Sequence, residues 1–314
     1  MEDAYVYVYL AVALVSVLIL VASRRRSAGD GGLHLPPGPW QLPVIGSLHH
    51  LVGQLPHRAM RDLARCHGPV MLLRRGEVPP LVVSSREGAC QVMKTHDTTF
   101  STRPLSATLR VLTDGGRDMA FAPYGDYWRQ LRKIAVTELF TARRVLSFRA
   151  IREEEVAGLL DKVAEAAAAG RPVEMRARLS ALVVDSTVRA VMGDRFEERD
   201  VFLGALDRSI KIAAGFNPPD LWPSSRLAGW LSGAVRCAKE CRDIGNVILD
   251  GIIQERLERM EEGAGGDHAE ALLDVLLRIH KEGRLGFQLD MDAIKPIIFV
   301  RSDLHHHHHY YSVE

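Results

Sequence analysis

Apolar residues recur at helical spacing along most of the chain. Met60, Leu63 and Ala64 form one apolar face and predict a helix over 56–67. The run from Thr141 to Gly170 has the same spacing and predicts one long helix with Thr141 as its N-cap. Similar patterns predict helices over 85–96, 124–138, 179–192, 201–214, 227–260 and 271–279. The pattern therefore indicates a mainly helical protein.

Two short apolar runs have strand character instead. They are Val70-Met71-Leu72-Leu73 and Leu81-Val82-Val83, and glycine and proline residues separate them. This arrangement predicts a small β-hairpin. The expected fold class is mainly α with a small β-sheet, preceded by one N-terminal transmembrane helix.

The transmembrane prediction rests on the first residues of the chain. Residues 4–22 form an uncharged run of 19 residues, which as a helix would reach roughly 28 Å, near the hydrocarbon thickness of a bilayer. Three arginines follow at 24–26, and the positive-inside rule then places the rest of the chain in the cytosol. Residues 1–23 are predicted to be a single-pass signal anchor in the lipid of the endoplasmic reticulum membrane. A cleaved secretory signal is the alternative and would imply a lumenal protein with disulfides.

A linker is expected between this anchor and the helical part. Residues 27–32 are small and polar, and Leu35-Pro36-Pro37-Gly38-Pro39 follows, in which the prolines fix φ and stiffen the chain. Residues 24–54 are therefore predicted to form a basic, proline-rich linker and hinge.

Composition excludes some classes of function. The formal net charge of the 314 residues is +1, which argues against nucleic acid as a partner. Four cysteines do not make a disulfide framework in a chain of this length. Cys237 and Cys241 lie one helical turn apart, and two small buried residues are favoured there over a metal pair. No metal site is predicted.

Three consecutive carboxylates, Glu153, Glu154 and Glu155, lie on the predicted helix over 141–170. Paired carboxylates can perform acid–base chemistry, but adjacent residues on a helix point in different directions. A solvated helix face is the favoured interpretation, and no catalytic residue is predicted anywhere in the chain.

The sequence from Ala122 to Lys133 carries the most specific chemistry. Trp128 and Arg132 are four residues apart, so they share one face of the predicted helix. The indole N–H and the guanidinium suit a carboxylate or a phosphate, although a core tryptophan beside a surface arginine would also fit. This run resembles helix C of the plant microsomal cytochrome P-450 family. Further resemblances are the proline cluster after the anchor, the Asp-Leu-Trp-Pro element at 220–223, and the residues from Met291 to Phe299, which resemble the opening of the family's helix I.

The resemblance implies a haem-thiolate monooxygenase. Trp128 and Arg132 would hydrogen-bond the haem propionates, and a loop over residues 105–119 and the surroundings of Phe216 would line the substrate pocket. The reaction would insert one atom of O2 into a small apolar substrate of plant specialised metabolism. Electrons would come from NADPH through a membrane reductase. Residues 55–299 would form the N-terminal part of the domain, from helix A to the start of helix I, in an incomplete cytochrome P-450 fold.

The resemblance stops near the start of helix I. Residues 300–314 form a divergent tail with five histidines, which suggests a translated intron, a frameshift product or a cloning remnant more than a metal site. Glu-x-x-Arg and Phe-Gly-x-Gly-x-Arg-x-Cys-x-Gly are both missing from the 314 residues, and Cys66 lacks the context of the thiolate ligand.

This chain is therefore expected to be inactive and poorly stable. The helix over 179–192 and the opening of helix I are expected to keep apolar faces uncovered. The alternative to a haem monooxygenase is a non-catalytic, membrane-anchored helical remnant or interaction module.

Overall fold

The computed structural model describes residues 7, 12–17, 35–139, 141–193, 195–214, 216–262, 270–282, 291 and 293–298. Most of the predicted anchor, the linker residues 24–34 and the tail 300–314 lie outside these residues. In the described part of the chain, no helix combines the length and the apolar character needed to cross a membrane.

The described secondary structure is almost entirely helical, as the sequence predicts. The elements are α1 (Pro56–His67), β1 (Val70–Leu72), β2 (Leu81–Val83), α2 (Arg86–Cys90), α3 (Asp97–Phe100), α4 (Ala107–Leu112), α5 (Asp126–Ile134), α6 (Ala142–Ser147), α7 (Arg149–Ala168), α8 (Met175–Met192), α9 (Arg199–Ala214), α10 (Pro218–Leu221), α11 (Arg226–Ser232), α12 (Ala234–Glu261) and α13 (Leu272–Glu282). A 3-10 turn at Leu48–His50 and π-helical turns at Gln91–Thr95 and Ala135–Leu139 complete the set.

The chain divides into two compact units. The first comprises Met1–Ser101 with Pro218–Leu231, and the second comprises Thr102–Asn217 with Ser232–Glu314. The predicted hairpin lies in the first unit, where β1 pairs antiparallel with β2 and Met71 lies opposite Val82. A small core of Leu51, Ala59 and Leu73 covers one side of it.

The proline-rich segment packs directly beside this hairpin. The Leu72 amide donates to the Pro37 carbonyl over 2.9 Å. A Cβ on Gly38 would lie 2.0 Å from the Leu72 carbonyl oxygen, so glycine is required for the backbones to approach this closely. The hinge residues 35–40 therefore form part of the packed first unit.

The second unit contains the largest core. The helices α5, α8, α9, α12 and α13 contribute buried apolar side chains to it, together with the helical stretch 293–298. Phe202 of α9, Leu249 of α12 and Leu273 of α13 are fully buried at its centre. A smaller cluster joins Leu112 of α4 to Cys241 of α12.

Three predicted elements need correction. The helix expected from Thr141 to Gly170 is two helices, because Phe148 leaves helical geometry between α6 and α7. The Thr141 cap is confirmed, since its hydroxyl accepts from the Arg144 amide over 3.3 Å. The helix expected over 227–260 breaks at Gly233, whose φ of +64° is in the left-handed region that favours glycine. The stretch 105–119, taken as a loop, contains the helix α4.

The prediction of uncovered apolar faces is wrong for the opening of helix I and for most of α8. Ile294 and Ile298 are fully buried, and the second half of α8 buries its valines in the main core. Exposed apolar side chains occur instead on α7 and at the start of α8, where Leu160 is 61% and Leu179 43% exposed. These helices thus present an apolar surface that the described residues leave open to solvent.

The end of α8 is closed by a contact from α12. Gly193 has φ of +92°, and its amide donates to the Arg189 carbonyl over 2.8 Å. The Arg256 guanidinium donates to the Met192 carbonyl over 2.8 Å and occupies the space beside Gly193. This arrangement satisfies a carbonyl that the helix itself leaves unpaired.

Candidate functional site

The helix α5 presents two different faces. Leu131 and Ile134 are 3% exposed and point into the main core. Trp128 and Arg132 lie together on another face, because the Arg132 Cζ is 5.2 Å from the centroid of the Trp128 ring. A cation this close to an indole face is held by electrostatic attraction to the ring. The four-residue spacing thus places the two side chains on one face.

The Trp128 indole already has a hydrogen-bond acceptor. Its Nε1–H donates to the Met119 carbonyl over 3.1 Å, and the half-buried ring lies 5.4 Å from the Tyr124 ring. Trp128 is therefore fixed by the loop that precedes α5 as well as by its own helix. A haem propionate would have to share this donor with the Met119 carbonyl.

Arg132 is in a different situation. Its side chain is exposed, and no described residue gives it a hydrogen bond or an ion pair. The neighbouring Arg129 instead pairs with Asp126. Arg132 therefore has guanidinium N–H donors available on a side chain held against Trp128, which is the arrangement that an external carboxylate needs.

The loop before α5 is built around Asp118, for which no role was predicted from the sequence. Asp118 is fully buried, and its Oδ1 accepts from the Ala120 amide over 2.6 Å and the Phe121 amide over 2.9 Å. Burial raises the pKa of Asp118 to about 6, although these amides and the charge of Arg103 act to lower it. The available signal was an aspartate two residues after the pair Gly115-Gly116, because glycine and aspartate are typical of turns.

Two of the three adjacent carboxylates, Glu153 and Glu154, are exposed as predicted, but Glu155 is buried. Glu155 is 8% exposed and accepts from Arg189 over 2.8 Å and from Arg195 over 2.7 Å. Burial by itself would raise the pKa of Glu155, but the two guanidinium groups outweigh it and hold the pKa below its usual range. Glu153 pairs with the exposed Arg149, and Glu154 pairs with the half-buried Arg189.

The regions expected to line a substrate pocket are partly filled by packing. Thr108 and Leu112 of α4 are buried, and Leu112 packs against α12. Phe216 is 43% exposed. A cavity of about 400 Å³ lies elsewhere, between α6, α7 and α8, and is lined mainly by apolar side chains such as Phe148, Val156 and Leu182.

Of the two cysteines expected to be small buried residues, Cys241 is buried and Cys237 is half-buried. Cys241 is fully buried, and burial and the nearby Cys237 raise the pKa of its thiol. Cys66 and Cys90 are exposed. Among the described residues, no three histidine, cysteine or acidic side chains come together as a metal site.

The described residues fit one edge of a haem rather than its iron. Arg132 offers unpaired donors, and Trp128 offers a flat apolar ring with one shared donor. The cysteine signature that would supply an axial thiolate is missing from the 314 residues. The fit is thus limited to the propionate side of the group.

Comparison with known families identifies the chain. The family model described as Cytochrome P450 matches residues 36–299, which include most of both units and the Trp128–Arg132 pair. The chain belongs to the cytochrome P450 family. The family assignment from the sequence is confirmed.

The chain is similar to several plant enzymes of this family. It is 47% identical to dolabradiene monooxygenase from Zea mays over 85% of its own length and 53% of that protein. It is 42% identical to ent-cassadiene hydroxylase from Oryza sativa subsp. japonica over 90% of its length and 56% of that protein. The chain thus spans about half the length of the curated relatives it matches.

A solved structure supports the same fold. A zebra fish cytochrome P450 determined with progesterone superimposes with a TM-score of 0.61 over 79% of this chain and 55% of that one. The sequence identity is 23%, so this likeness concerns the fold alone.

Proposed function

We propose that this chain is the N-terminal part of a haem-dependent monooxygenase, in which Trp128 and Arg132 hold the haem propionates. The observation that carries the proposal is the Arg132 guanidinium, which is stacked on Trp128 and has no partner among the described residues. Membership of the cytochrome P450 family supplies the haem and the reaction class.

Each residue has a distinct role in this proposal. Arg132 donates charge-assisted hydrogen bonds to a propionate, and Trp128 fixes the direction of Arg132 by presenting its ring face. The Met119 carbonyl accepts a hydrogen bond from the indole and so fixes the position of the Trp128 ring relative to the loop. The haem, when bound, supplies the oxygen chemistry, and the protein supplies orientation and electrostatics.

The substrate class follows from the relatives. Three of them are named for dienes: dolabradiene monooxygenase, ent-cassadiene hydroxylase and premnaspirodiene oxygenase. We therefore propose a small apolar diene as substrate, with electrons from NADPH delivered by a membrane reductase. The predicted anchor, residues 1–23, and the following arginines favour the endoplasmic reticulum membrane with the helical units in the cytosol.

A second candidate is a non-catalytic helical protein with the same anchor. The observation in its favour is the missing thiolate signature, since the 314 residues contain no Phe-Gly-x-Gly-x-Arg-x-Cys-x-Gly sequence. Under this proposal the chain by itself does not oxidise a substrate, whatever the activity of a protein that contains the whole family sequence.

A chimera separates these proposals. Residues 36–299 replace the matching region of dolabradiene monooxygenase, and the chimera is expressed in microsomes with a reductase. We expect the red-shifted band of a thiolate-ligated haem after reduction and carbon monoxide treatment, and NADPH-dependent oxidation of dolabradiene. The 314-residue chain alone should show neither. A folded chimera that binds no haem would favour the second candidate.

Two variants test the propionate assignment within the chimera. Arg132→Ala should weaken haem retention by about 10-fold or more, because a hydrogen bond to a charged group is worth about 1.5–3 kcal/mol. Arg129→Ala is the matched control, because Arg129 lies on the same helix, is exposed and already pairs with Asp126. Equal haem retention in both variants would remove Arg132 from the site.

The anchor is tested separately. Deletion of residues 1–23 should move much of the protein out of the membrane fraction, and protease added to intact microsomes should digest the helical units of the undeleted chain. Protection of these units from protease would contradict the cytosolic orientation.

A further inference from the structure

The turn before α5 depends on one buried carboxylate. The side chain of Asp118 is fully buried, and its Oδ1 accepts from the amides of Ala120 and Phe121. The Ala122 amide closes the same turn by donating to the Asp118 carbonyl over 3.0 Å. The second carboxylate oxygen, Oδ2, is buried and has no hydrogen-bond partner among the described residues. A buried carboxylate oxygen without a hydrogen bond lowers the stability of the folded chain, so its presence indicates that the carboxylate has a role at this position.

The residues on either side of Asp118 are both tied to α5. The Arg117 carbonyl accepts from the Tyr127 hydroxyl over 2.6 Å, and the Met119 carbonyl accepts from the Trp128 indole over 3.1 Å. Asp118 therefore lies between the two carbonyls that connect the loop to α5. Arg132 is next in this series of contacts, because its guanidinium lies over the Trp128 ring.

We propose that Asp118 is the positioning residue for the Trp128–Arg132 pair: its carboxylate closes the turn that aims the Met119 carbonyl at the indole. The link from Asp118 to Trp128 stands on the hydrogen bonds of this chain. Only the last link, from Arg132 to a propionate, rests on the proposed function. Asp118 acts through other residues and contacts neither haem nor substrate in this proposal.

The charge of Asp118 controls how firmly the turn is held. A carboxylate accepts amide hydrogen bonds more strongly than a neutral carboxyl group does. The pKa of Asp118 is raised to about 6 by burial, and the charged group acting on it is Arg103, which also donates to the Ala120 carbonyl. Protonation near this pH weakens the two amide bonds, and the Met119 carbonyl and the indole bound to it then shift.

The experiment observes the indole directly in the 314-residue chain. The four tryptophans are isotope-labelled at the indole nitrogen, and Trp128→Phe identifies the resonance of Trp128. We expect this resonance to move with pH with a midpoint of about 6. Trp222 is the internal reference, because its indole also donates to a backbone carbonyl, that of Val44, over 3.1 Å.

Asp118→Asn is the decisive variant, because asparagine keeps an acceptor for the amides but carries no charge. The Trp128 resonance should then stay at its low-pH position at every pH, while that of Trp222 is unchanged from the native chain. A Trp128 resonance that is independent of pH in the native chain would overturn the proposal. So would a Trp128 titration that persists in Asp118→Asn, since another group would then cause it.

A second variant guards against simple loss of structure. Asp118→Ala removes the acceptor and should displace the Trp128 resonance at all pH values, with the Trp222 resonance retained. Collapse of all indole resonances in Asp118→Ala would be a folding defect, and the native and Asp118→Asn titrations would then decide. Haem retention by the chimera is a separate arm: if it fails while the indole titration holds, the proposed function fails and the role of Asp118 remains.

Discussion

Two buried carboxylates of the second unit are stabilised in opposite ways. Glu155 on α7 faces two guanidinium groups from Arg189 and Arg195, and its pKa lies below the usual range. Asp118 faces backbone amides and has a pKa of about 6. Backbone amides and the charge of Arg103 thus do not compensate for the complete burial of Asp118, whereas two directly paired guanidinium groups outweigh the burial of Glu155. The two sites should therefore respond to acid with opposite sign.

The chain also contains an exposed counterpart of each site. Glu153 pairs with Arg149 on the surface of α7, whereas the carboxylate of Glu155 is buried where it meets its two arginines. Glu174 caps α8 by accepting from the Ala177 amide over 2.6 Å, as Asp118 accepts from amides in its turn. Comparison of these four carboxylates therefore separates the effect of the hydrogen-bond partner on stability from the effect of burial.

The largest effect is expected at the buried ion pair. Arg189→Ala leaves Glu155 in place with Arg195 alone, and removal of one partner from a buried pair destabilises by about 3–5 kcal/mol. Because Arg195 remains, we expect a loss of about 3 kcal/mol in the free energy of unfolding, measured in urea at neutral pH.

The contribution of Glu155 to stability should decrease as the pH falls. The lowered pKa of Glu155 contributes stability that is present above the ordinary glutamate range and is lost as the pH falls through the folded-state pKa. The difference between Arg189→Ala and the native chain should therefore shrink in acid. An equal difference at all pH values would assign the effect to packing.

Asp118→Asn should raise stability at neutral pH, whereas Arg189→Ala lowers it. The pKa of Asp118 rises from 3.8 to about 6, which corresponds to about 3 kcal/mol of destabilisation of the charged form at neutral pH. Since the folded state binds the proton more tightly, native stability falls as the pH rises from about 4 to 6. The neutral variant lacks this dependence.

We therefore expect Asp118→Asn to be more stable than the native chain by up to about 3 kcal/mol near pH 7, with the gain gone below about pH 4. Urea titrations of both proteins at several pH values measure this gain. A loss of stability at neutral pH would show that the amide bonds to the charged carboxylate outweigh its burial.

Glu174→Ala tests the amide-bound carboxylate without burial. The loss of a helix cap and of a negative charge at a helix N-terminus should destabilise by about 0.5–1 kcal/mol. Thermal unfolding of the variant beside Glu174→Gln separates the hydrogen bond from the charge. A larger loss than that of Arg189→Ala would contradict the ranking by burial.

The smallest effect is expected for Arg149→Ala. Both side chains of its pair with Glu153 are exposed, at 72% and 63%, so solvent screens their attraction. The urea midpoint should not move measurably. A shift comparable to that of Arg189→Ala would mean that partner type matters and burial does not.

The difference between these sites also marks how far the sequence could predict the structure. Local signals were sufficient for the hairpin, for α1 and for the Thr141 cap, because each depends on neighbouring residues. The burial of Glu155 was not predictable in this way. Its partners Arg189 and Arg195 lie 34 and 40 residues further along the chain, and only the packing of α7 on α8 brings them together.

The candidate site divides along the same line. The shared face of Trp128 and Arg132 follows from a four-residue spacing on one helix. The role of Asp118 does not follow from spacing on a helix. It depends on a turn whose carbonyls accept hydrogen bonds from α5 side chains ten and nine residues further along the chain. No proline or glycine lies near Phe148, and the apolar residues keep helical spacing on both sides of it. The sequence pattern therefore predicted one continuous helix where the structure has two.

The closed end of α8 limits how this sequence can vary. Any side chain at position 193 would need a left-handed backbone and would place its Cβ 2.0 Å from the Arg256 guanidinium. In a library of all substitutions at this position, glycine should dominate the folded fraction. Replacing Arg256 by a shorter side chain should partly restore the stability of Gly193→Ala, because it removes the clash with the new Cβ. Substitutions at 193 are therefore expected only together with a substitution at 256.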